Sequence, residues 1–466
     1  MTNPLKQIAF FIFITLRVFS QQIDSSFVAL EKEGSLISYS IRDENGYEIK
    51  AWQSKTNMQP ASTQKVITAA AALYYLGKDY RFKTAVLLNG QVENGVYKGD
   101  VVVRGSGDPE FGRRSGQADT IKKEILNALS RRGVKRLNGT IKTDVSLYPY
   151  NQEAVSRYWV YEDLGNYYGA GVFGLNWRGN SFTVEFKASR PGELADYNYI
   201  DYTPYNLAIN SKVITCSHLE EVIYMWGAPG KSSLDMDGCV PAGQIRRERG
   251  ALPNPPIQFA GELNNAINEK FIGSVISSGI DLEKNFYLSD TLISFSSVPL
   301  SDMIRSMLLN SDNLIAEALL KRMAADLGKP TRAEKAVDLV KNYLEAMKFP
   351  ETESFHPVDG SGLSPSNLMS ASFQSAFLHH LKSQPEFEIV FNSLPEAGKT
   401  GTLRRFETIP GLRAKTGSIQ GVRTYMGYIE IKGKRLSFSV MVNHLSSKDK
   451  KLTGNSVSEF LKSLIN

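Results

Sequence analysis

Alternating polar and apolar positions mark the first regular elements. Ser35-Leu-Ile-Ser-Tyr-Ser-Ile-Arg42 and Tyr47-Glu-Ile-Lys-Ala-Trp52 read as strands, and Asp43-Glu-Asn-Gly46 between them carries an Asn-Gly hairpin signal. The pattern then changes period. Gln59-Pro60-Ala61-Ser62 opens an Ala-rich run, Thr63 to Leu73, which predicts a buried helix ending at Gly77. From about 81 to 285 the chain breaks into short strands punctuated by Gly and Asn. Lys83–Leu88, Gly99–Arg104 and Asn180–Phe186 are examples, with a few helices among them, one at Asn264–Ile272. Helical periodicity returns at 301–308, 312–327, 331–347 and 369–382. Two long strands follow, Tyr425–Ile431 and Arg435–Val442, joined at Lys432-Gly433, and a helix at about 455–465 ends the chain. Strands at both ends predict one sheet assembled from 21–80 and 286–466. The mostly β stretch 81–285 is then an insertion, with a nested inner unit at about 180–255.

The N-terminus has a different character. Lys6 precedes an apolar run from Ile8 to Leu16, and Val18-Phe19-Ser20 offers a cleavage site, which is the anatomy of a secretory signal peptide over 1–20. The run is short for a membrane span, so no transmembrane anchor is expected after cleavage near Gln21. Export is the expectation, with the periplasm as destination. In such a compartment Cys216 and Cys239 are candidates for a disulfide.

Composition narrows the class. With 42% hydrophobic and 22% charged residues in 466, the chain is neither disordered nor polytopic. The net charge of +6 is mild and no Lys/Arg run stands out, which argues against nucleic acid as a partner. Two cysteines and five histidines argue against Cys-rich metal sites.

Three short motifs carry chemistry. Ser62-Thr-Gln-Lys65 places a hydroxyl and an amine three residues apart, on one face of a helix. A buried lysine with a lowered pKa can serve such a serine as base. Ser311-Asp-Asn313 opens a helix, where Ser and Asp also act as plain caps. Lys415-Thr-Gly-Ser418 offers a cation, hydroxyls and a glycine that lets a ligand approach. Singly each is weak: Ser447-Lys-Asp-Lys450 repeats the first spacing, and Lys399-Thr400-Gly401 repeats the last. The second copy, Lys415-Thr416-Gly417, runs into a long strand, whereas the first leads into Leu403-Arg-Arg-Phe406 and reads as a loop.

Together the three form the joint signature of penicillin-binding proteins and class A β-lactamases. Arg104-Gly-Ser-Gly-Asp-Pro109, Asn138–Asp144, Tyr168–Asn176, Asp359-Gly-Ser-Gly-Leu-Ser364, Ser393-Leu-Pro395 and Leu412-Arg-Ala-Lys-Thr-Gly417 sharpen the likeness. The chain resembles, from about 25 to 465, the class C low-molecular-mass penicillin-binding proteins, the D-alanyl-D-alanine carboxypeptidase/endopeptidases. Ser106 and the segment Tyr168–Gly174 depart from the usual pattern. The resemblance implies an α+β (α/β) transpeptidase fold, a five-stranded antiparallel sheet flanked by helices, with the insertion between the first two motifs. It implies acyl transfer: Ser62 as nucleophile, Lys65 as base, and Ser311 as proton relay to the leaving amine. It further implies Asn313 on the substrate amide, Lys415 and Thr416 on the terminal carboxylate, Gly417 and Ser418 beside them in the substrate-binding set, and the backbone N–H groups of Ser62 and Ser418 as oxyanion hole. No metal or organic cofactor is implied. The implied partners are peptidoglycan stem peptides, with β-lactams as covalent inhibitors. Two rivals share the motifs, a β-lactamase and a penicillin- or muropeptide-binding protein that does not turn over. A Ser-His-Asp hydrolase is disfavoured, since no G-x-S-x-G is present.

Overall fold

The computed structural model describes residues 22–148, 150, 152–217, 223–281, 290–446 and 450–465. The expected signal peptide, His218 and most of Ser447–Lys450 lie outside the described residues.

The central sheet is antiparallel and has five strands. Their order is Arg413–Ile419, Val422–Ile431, Lys434–Asn443, Leu36–Arg42 and Glu48–Trp52. Leu36 pairs with Asn443 and Arg42 with Ser437, so the two ends of the chain share one sheet. One face carries Tyr39, Ile41, Phe438, Val440 and Val442, and is covered by Phe27, Leu30, Val457, Phe460 and Leu461 from the terminal helical segments.

The opposite face is polar but dry. An alternating strand ordinarily turns its polar side chains to water. Here Ser38, Ser40, Ser437 and Ser439 are completely buried beneath the helix Ala371–Leu381. Ser40 Oγ and Ser375 Oγ lie 2.6 Å apart, and Ser439 Oγ donates to Gln374 Oε1 at 2.8 Å. Gln374 Nε2 in turn donates to Thr63 Oγ1 at 3.0 Å, tying this seam to the turn that carries Ser62. Small side chains let the helix approach closely, and every hydroxyl named finds a partner, as burial requires.

Behind the seam lies a helical core. The helix Lys65–Leu76 runs through it, and Ala69 to Ala72 are fully buried against Leu300–Asn310, Asn313–Asp326 and Ala333–Ala346. A helix apolar all round belongs in such an interior position. Gly77, at φ +80°, ends it.

Between Leu76 and Leu300 the chain builds further sheets. A mixed five-stranded sheet orders Val275–Asp281, Arg136–Asp144, Val96–Arg104, Lys83–Glu93 and Asp290–Ser296. Its core is closed by the helices Gln117–Arg131 and Pro255–Lys270. A three-stranded and a four-stranded sheet, drawn from Ser181 to Ala251, share a smaller core around Phe182, Phe186 and Leu234. Some boundaries differ from the expectation. The helix expected at 264–272 begins at Pro255, because Pro255 and Pro256 occupy its first turn, where a missing N–H costs nothing. The last helix begins at Lys450, ahead of Gly454.

Cys216 and Cys239 are disulfide-bonded, with Cα atoms 5.8 Å apart across the junction of two parallel strands, Ile214–Cys216 and Ser233–Pro241. Among the described residues no helix is long and apolar enough to cross a membrane. A cross-link across a separation of 23 residues stabilises by about 3 kcal/mol on chain-entropy grounds. Replacing both cysteines by Ser should therefore lower the thermal midpoint of the unit around them while leaving active-site acylation in the native protein intact. Differential scanning calorimetry beside a labelling assay checks both.

Candidate active site

The first motif begins in a strained turn. Ala61 is buried and left-handed, at φ +47°, and the short helical turn Ala61–Gln64 feeds directly into Lys65–Leu76. Strain of this kind persists only where the surroundings hold it. Two glycines do so. A Cβ on Gly362 would lie 2.0 Å from Ala61 O, and one on Gly417 would lie 2.7 Å from Pro60 O. Thr424 Oγ1 adds a hydrogen bond to Pro60 O at 2.6 Å. Gly417 of the third motif thus packs directly against the turn that carries the first, with the Thr424 hydroxyl beside it.

Lys65 is fully buried. Its Nζ donates to Ser62 Oγ at 2.8 Å, to Asn313 Oδ1 at 2.6 Å and to Ser361 O at 2.7 Å. Burial is the largest influence and pulls its pKa down to about 8, against the opposing pull of Asp359, Glu317 and Asp312. The amine is therefore within reach of its neutral form near physiological pH, which suits a base for the Ser62 hydroxyl.

Ser311 sits in the break between two helices. It ends Leu300–Asn310 with φ +60°, and Asp312 caps Asn313–Asp326 by accepting from Ile315 N at 3.0 Å. Lys415 Nζ donates to Ser311 Oγ at 2.9 Å and to Thr416 O at 2.6 Å. Burial, and next the nearby Lys65, hold the Lys415 ammonium well below its usual range. Ser62, Lys65, Ser311, Asn313, Lys415, Thr416, Gly417 and Ser418 are all brought together. Ser62, Ser311, Asn313, Thr416 and Ser418 line one cavity of about 580 Å³, with Tyr168, Thr402 and Gln420 in its walls.

Several participants escape local sequence reading. The Arg113 guanidinium forms an ion pair with Asp312. Burial alone would raise the Asp312 carboxyl, but Arg113 beside it holds it below the ordinary range. Tyr168 O accepts from Asn313 Nδ2 at 2.8 Å. Both contacts come from the stretch between the first two motifs. Arg113 follows the Gly-Asp-Pro segment, the one local signal that could have pointed to it. Beneath Lys65, the loop from Asp359 to Ser364 is held by two buried carboxyls. Asp359 accepts from Trp159 Nε1, Gly362 N and Ser364 N at 2.7–2.9 Å, and Glu317 Oε1 accepts from Gly360 N and Ser361 N. Burial raises the pKa of both, and Asp359 raises that of Glu317 further.

The two Lys-Thr-Gly copies lie in different settings. Lys415 lies on the cleft strand, whereas Lys399 is exposed and donates to Glu396 Oε1 at 2.5 Å. The first copy still reaches the cleft through its neighbour: Thr416 Oγ1 donates to Thr402 Oγ1 at 2.7 Å. None of the described histidines lines the cavity.

A serine–lysine pair at the head of a buried helix, facing a cleft strand on a five-stranded antiparallel sheet, is the arrangement of the penicillin-binding proteins and the serine β-lactamases. Residues 19–464 match the D-Ala-D-Ala carboxypeptidase 3 (S13) family, and the chain belongs to that family of serine hydrolases. It is 26% identical over 434 residues to the D-alanyl-D-alanine carboxypeptidase DacB of Haemophilus influenzae, covering 90% of this chain and 87% of that one. It is also 26% identical over 423 residues to a D-alanyl-D-alanine carboxypeptidase of Actinomadura sp., covering 85% and 76%. The crystal structure of penicillin binding protein 4 (dacB) from Haemophilus influenzae superposes with a TM-score of 0.82 at 23% identity, over 95% of this chain and 100% of that one, which shows the fold.

Two outcomes follow from this geometry. Lys415→Ala should abolish acylation by a fluorescent penicillin. Lys399→Ala, which removes only an exposed ion pair worth roughly 0.2–1 kcal/mol, should retain most of it. The reverse order would mean that the wrong copy has been assigned. Acylation should also depend on pH. The form of Lys65 that accepts the Ser62 proton is neutral, so the labelling rate should climb as pH rises and level off above about 8. A labelling-rate profile that falls over this range would contradict the assignment.

Proposed function

We propose that the protein cleaves D-Ala–D-Ala or cross-link peptide bonds in peptidoglycan stem peptides, as carboxypeptidase, endopeptidase or both, through an acyl-enzyme on Ser62. The observation that carries this reading is the pair of contacts facing each other across one cavity, Lys65 Nζ on Ser62 Oγ and Lys415 Nζ on Ser311 Oγ. Ser62 Oγ attacks the carbonyl carbon and its proton passes to neutral Lys65. As the C–N bond breaks, Ser311, bonded to Lys415, relays that proton to the departing amine and leaves Lys65 neutral again. Water then attacks the acyl-enzyme and gives its proton to Lys65, and Lys65 returns it to Ser62 Oγ as the acid is released.

Asn313 Nδ2 keeps a second hydrogen for the substrate amide while its first is held by Tyr168 O. Beyond Ala414, whose N–H donates to Pro395 O, the outer edge of Arg413–Ile419 lets an extended peptide add alongside it, with the backbone N–H groups of Ser62 and Ser418 for the oxyanion. The terminal carboxylate sits against Lys415, Thr416 and Ser418. A β-lactam offers a strained amide to the same atoms and becomes a covalent inhibitor. The Haemophilus protein has been crystallised with a β-lactam, and a Bdellovibrio bacteriovorus neighbour is described as a peptidoglycan endopeptidase (TM-score 0.52, 17% identity, covering 93% of each chain). The reading includes export to the periplasm. It also divides the chain into a catalytic domain from 21–80 with 286–466, and an insertion at 81–285 whose inner unit spans about 180–255.

Ser62→Ala should keep the fold and reduce penicillin labelling at least about a thousandfold, the scale of losing a catalytic nucleophile. Intact mass should show one acyl adduct on the wild type and none on the variant. Digestion of purified peptidoglycan, with products identified by mass, separates carboxypeptidase from endopeptidase action. Labelling that persists on folded Ser62→Ala would overturn the reading.

A further inference from the structure

Beside the cleft, aromatic side chains stand exposed in a row. The Tyr161 ring stacks on Trp226, with centroids 5.7 Å apart and planes 19° apart. Trp226 stacks on Tyr224, two residues back on the same strand, at 5.8 Å and 17°. Trp226 Nε1 donates to Asp237 Oδ2 at 3.1 Å, which holds the central ring. The row is exposed at both ends, Tyr161 to 61% and Tyr224 to 37%. The backbone is shaped to make it. The short helix Tyr161–Leu164 ends at Gly165, where a Cβ would lie 1.9 Å from Met225 O, so only glycine lets this helix lie against the strand Ile223–Trp226.

The row starts next to the active-site cavity without lining it. Val160 and Glu162, the chain neighbours of Tyr161, line the same cavity as Ser62. Flat, pre-organised aromatic surface of this kind offers large contact area at small entropic cost, and exposed patches at a cleft mark ligand sites. The Asp237 carboxylate touches the row, and Glu162 and Asp163 follow Tyr161 in its short helix and line the adjoining cavity. An acidic border disfavours anionic ligands such as nucleic acid or phospholipid headgroups. It suits an uncharged ring with one apolar C–H face and hydroxyl or amide donors at its rim, which describes a pyranose.

We propose that Tyr161, Trp226 and Tyr224 form a subsite for the glycan strand of peptidoglycan, a β-linked chain of N-acetylated amino sugars. This rests on the reading of the cleft as a stem-peptide site. The stem peptide is covalently attached to the glycan, so a peptide whose C-terminus reaches Ser62 carries its sugar out along the cleft wall. The aromatic row begins at Tyr161, between two residues of that wall, Val160 and Glu162, and leads away from it.

The test compares two substrates, a free stem peptide ending in D-Ala–D-Ala and the same peptide attached to a glycan strand. Tyr161→Ala and Tyr224→Ala lie outside the cavity lining, and penicillin labelling reports that each remains folded and active. Each should raise KM for the glycan-linked substrate on the order of 3- to 10-fold, with kcat and the free-peptide KM unchanged. Peptide-free glycan strands should quench tryptophan fluorescence in the wild type and lose that effect in the double variant. Equal effects on both substrates, or none, would overturn the proposal. So would a row whose loss only converts a dimer into monomers in sedimentation velocity. A wild type that neither labels with penicillin nor releases D-Ala would instead sink the reading of the cleft, while the quenching experiment still judges the row.

Discussion

Burying the Lys65 amine without placing a carboxylate against it is the constraint on which the rest of the structure hangs. Its three acceptors are a hydroxyl, a side-chain amide and a backbone carbonyl, and they come from three separate parts of the chain. Neutral acceptors satisfy the hydrogens without restoring the solvation that the charge has lost, so the proton is held loosely. Each acceptor then needs its own support. Ser62 is placed by a left-handed turn pinned under two glycines, and Asn313 by a capped helix whose Asp312 is gripped by Arg113. Ser361 rides on a loop held by Glu317 and Asp359. The three carboxyls that oppose the shift in Lys65 are thus also the struts that hold its surroundings in place.

The second requirement is close approach. The cleft strand, the nucleophile turn and the loop at Gly362 meet backbone to backbone, and the serine-lined seam lets a helix settle onto the sheet above them. Such contacts tolerate almost no extra volume. They explain why glycine, serine and alanine, residues with little hydrophobic area to bury, populate the most enclosed part of the molecule.

Much of this was legible before the fold was known. The Leu36–Trp52 hairpin, the Ala-rich helix and the late helices follow from local periodicity and turn chemistry, which act over a few residues. That Lys415 lies on a strand and Lys399 does not was equally accessible, because only one copy runs into a long strand. What stayed hidden depends on contacts between distant positions. Arg113 meets Asp312 across 199 residues, and Tyr168 meets Asn313 across 145, so neither pair has a spacing to read. Thr402 was hidden because its copy of the motif reads as a loop, and only the tertiary fold brings that loop against Thr416. The buried serines of Leu36–Arg42 and Lys434–Asn443 look like an ordinary solvated face until a helix is found over them.

The pairing of Leu36 with Asn443 has a consequence for how the molecule comes into being. The strand Leu36–Arg42 emerges long before its inner neighbour Lys434–Asn443, which follows every other described strand along the chain. Sheets closed by so long a separation form slowly, and an unpaired hairpin waiting for its neighbour is a template for aggregation. The sheets between them draw on strands nearer in sequence and have separate cores, so they are able to close first. A chain that stopped just before Lys434 would carry every residue of all three motifs. It would still lack the strand that lies between Leu36–Arg42 and Val422–Ile431, and with it the sheet that brings Lys415 up to Ser62.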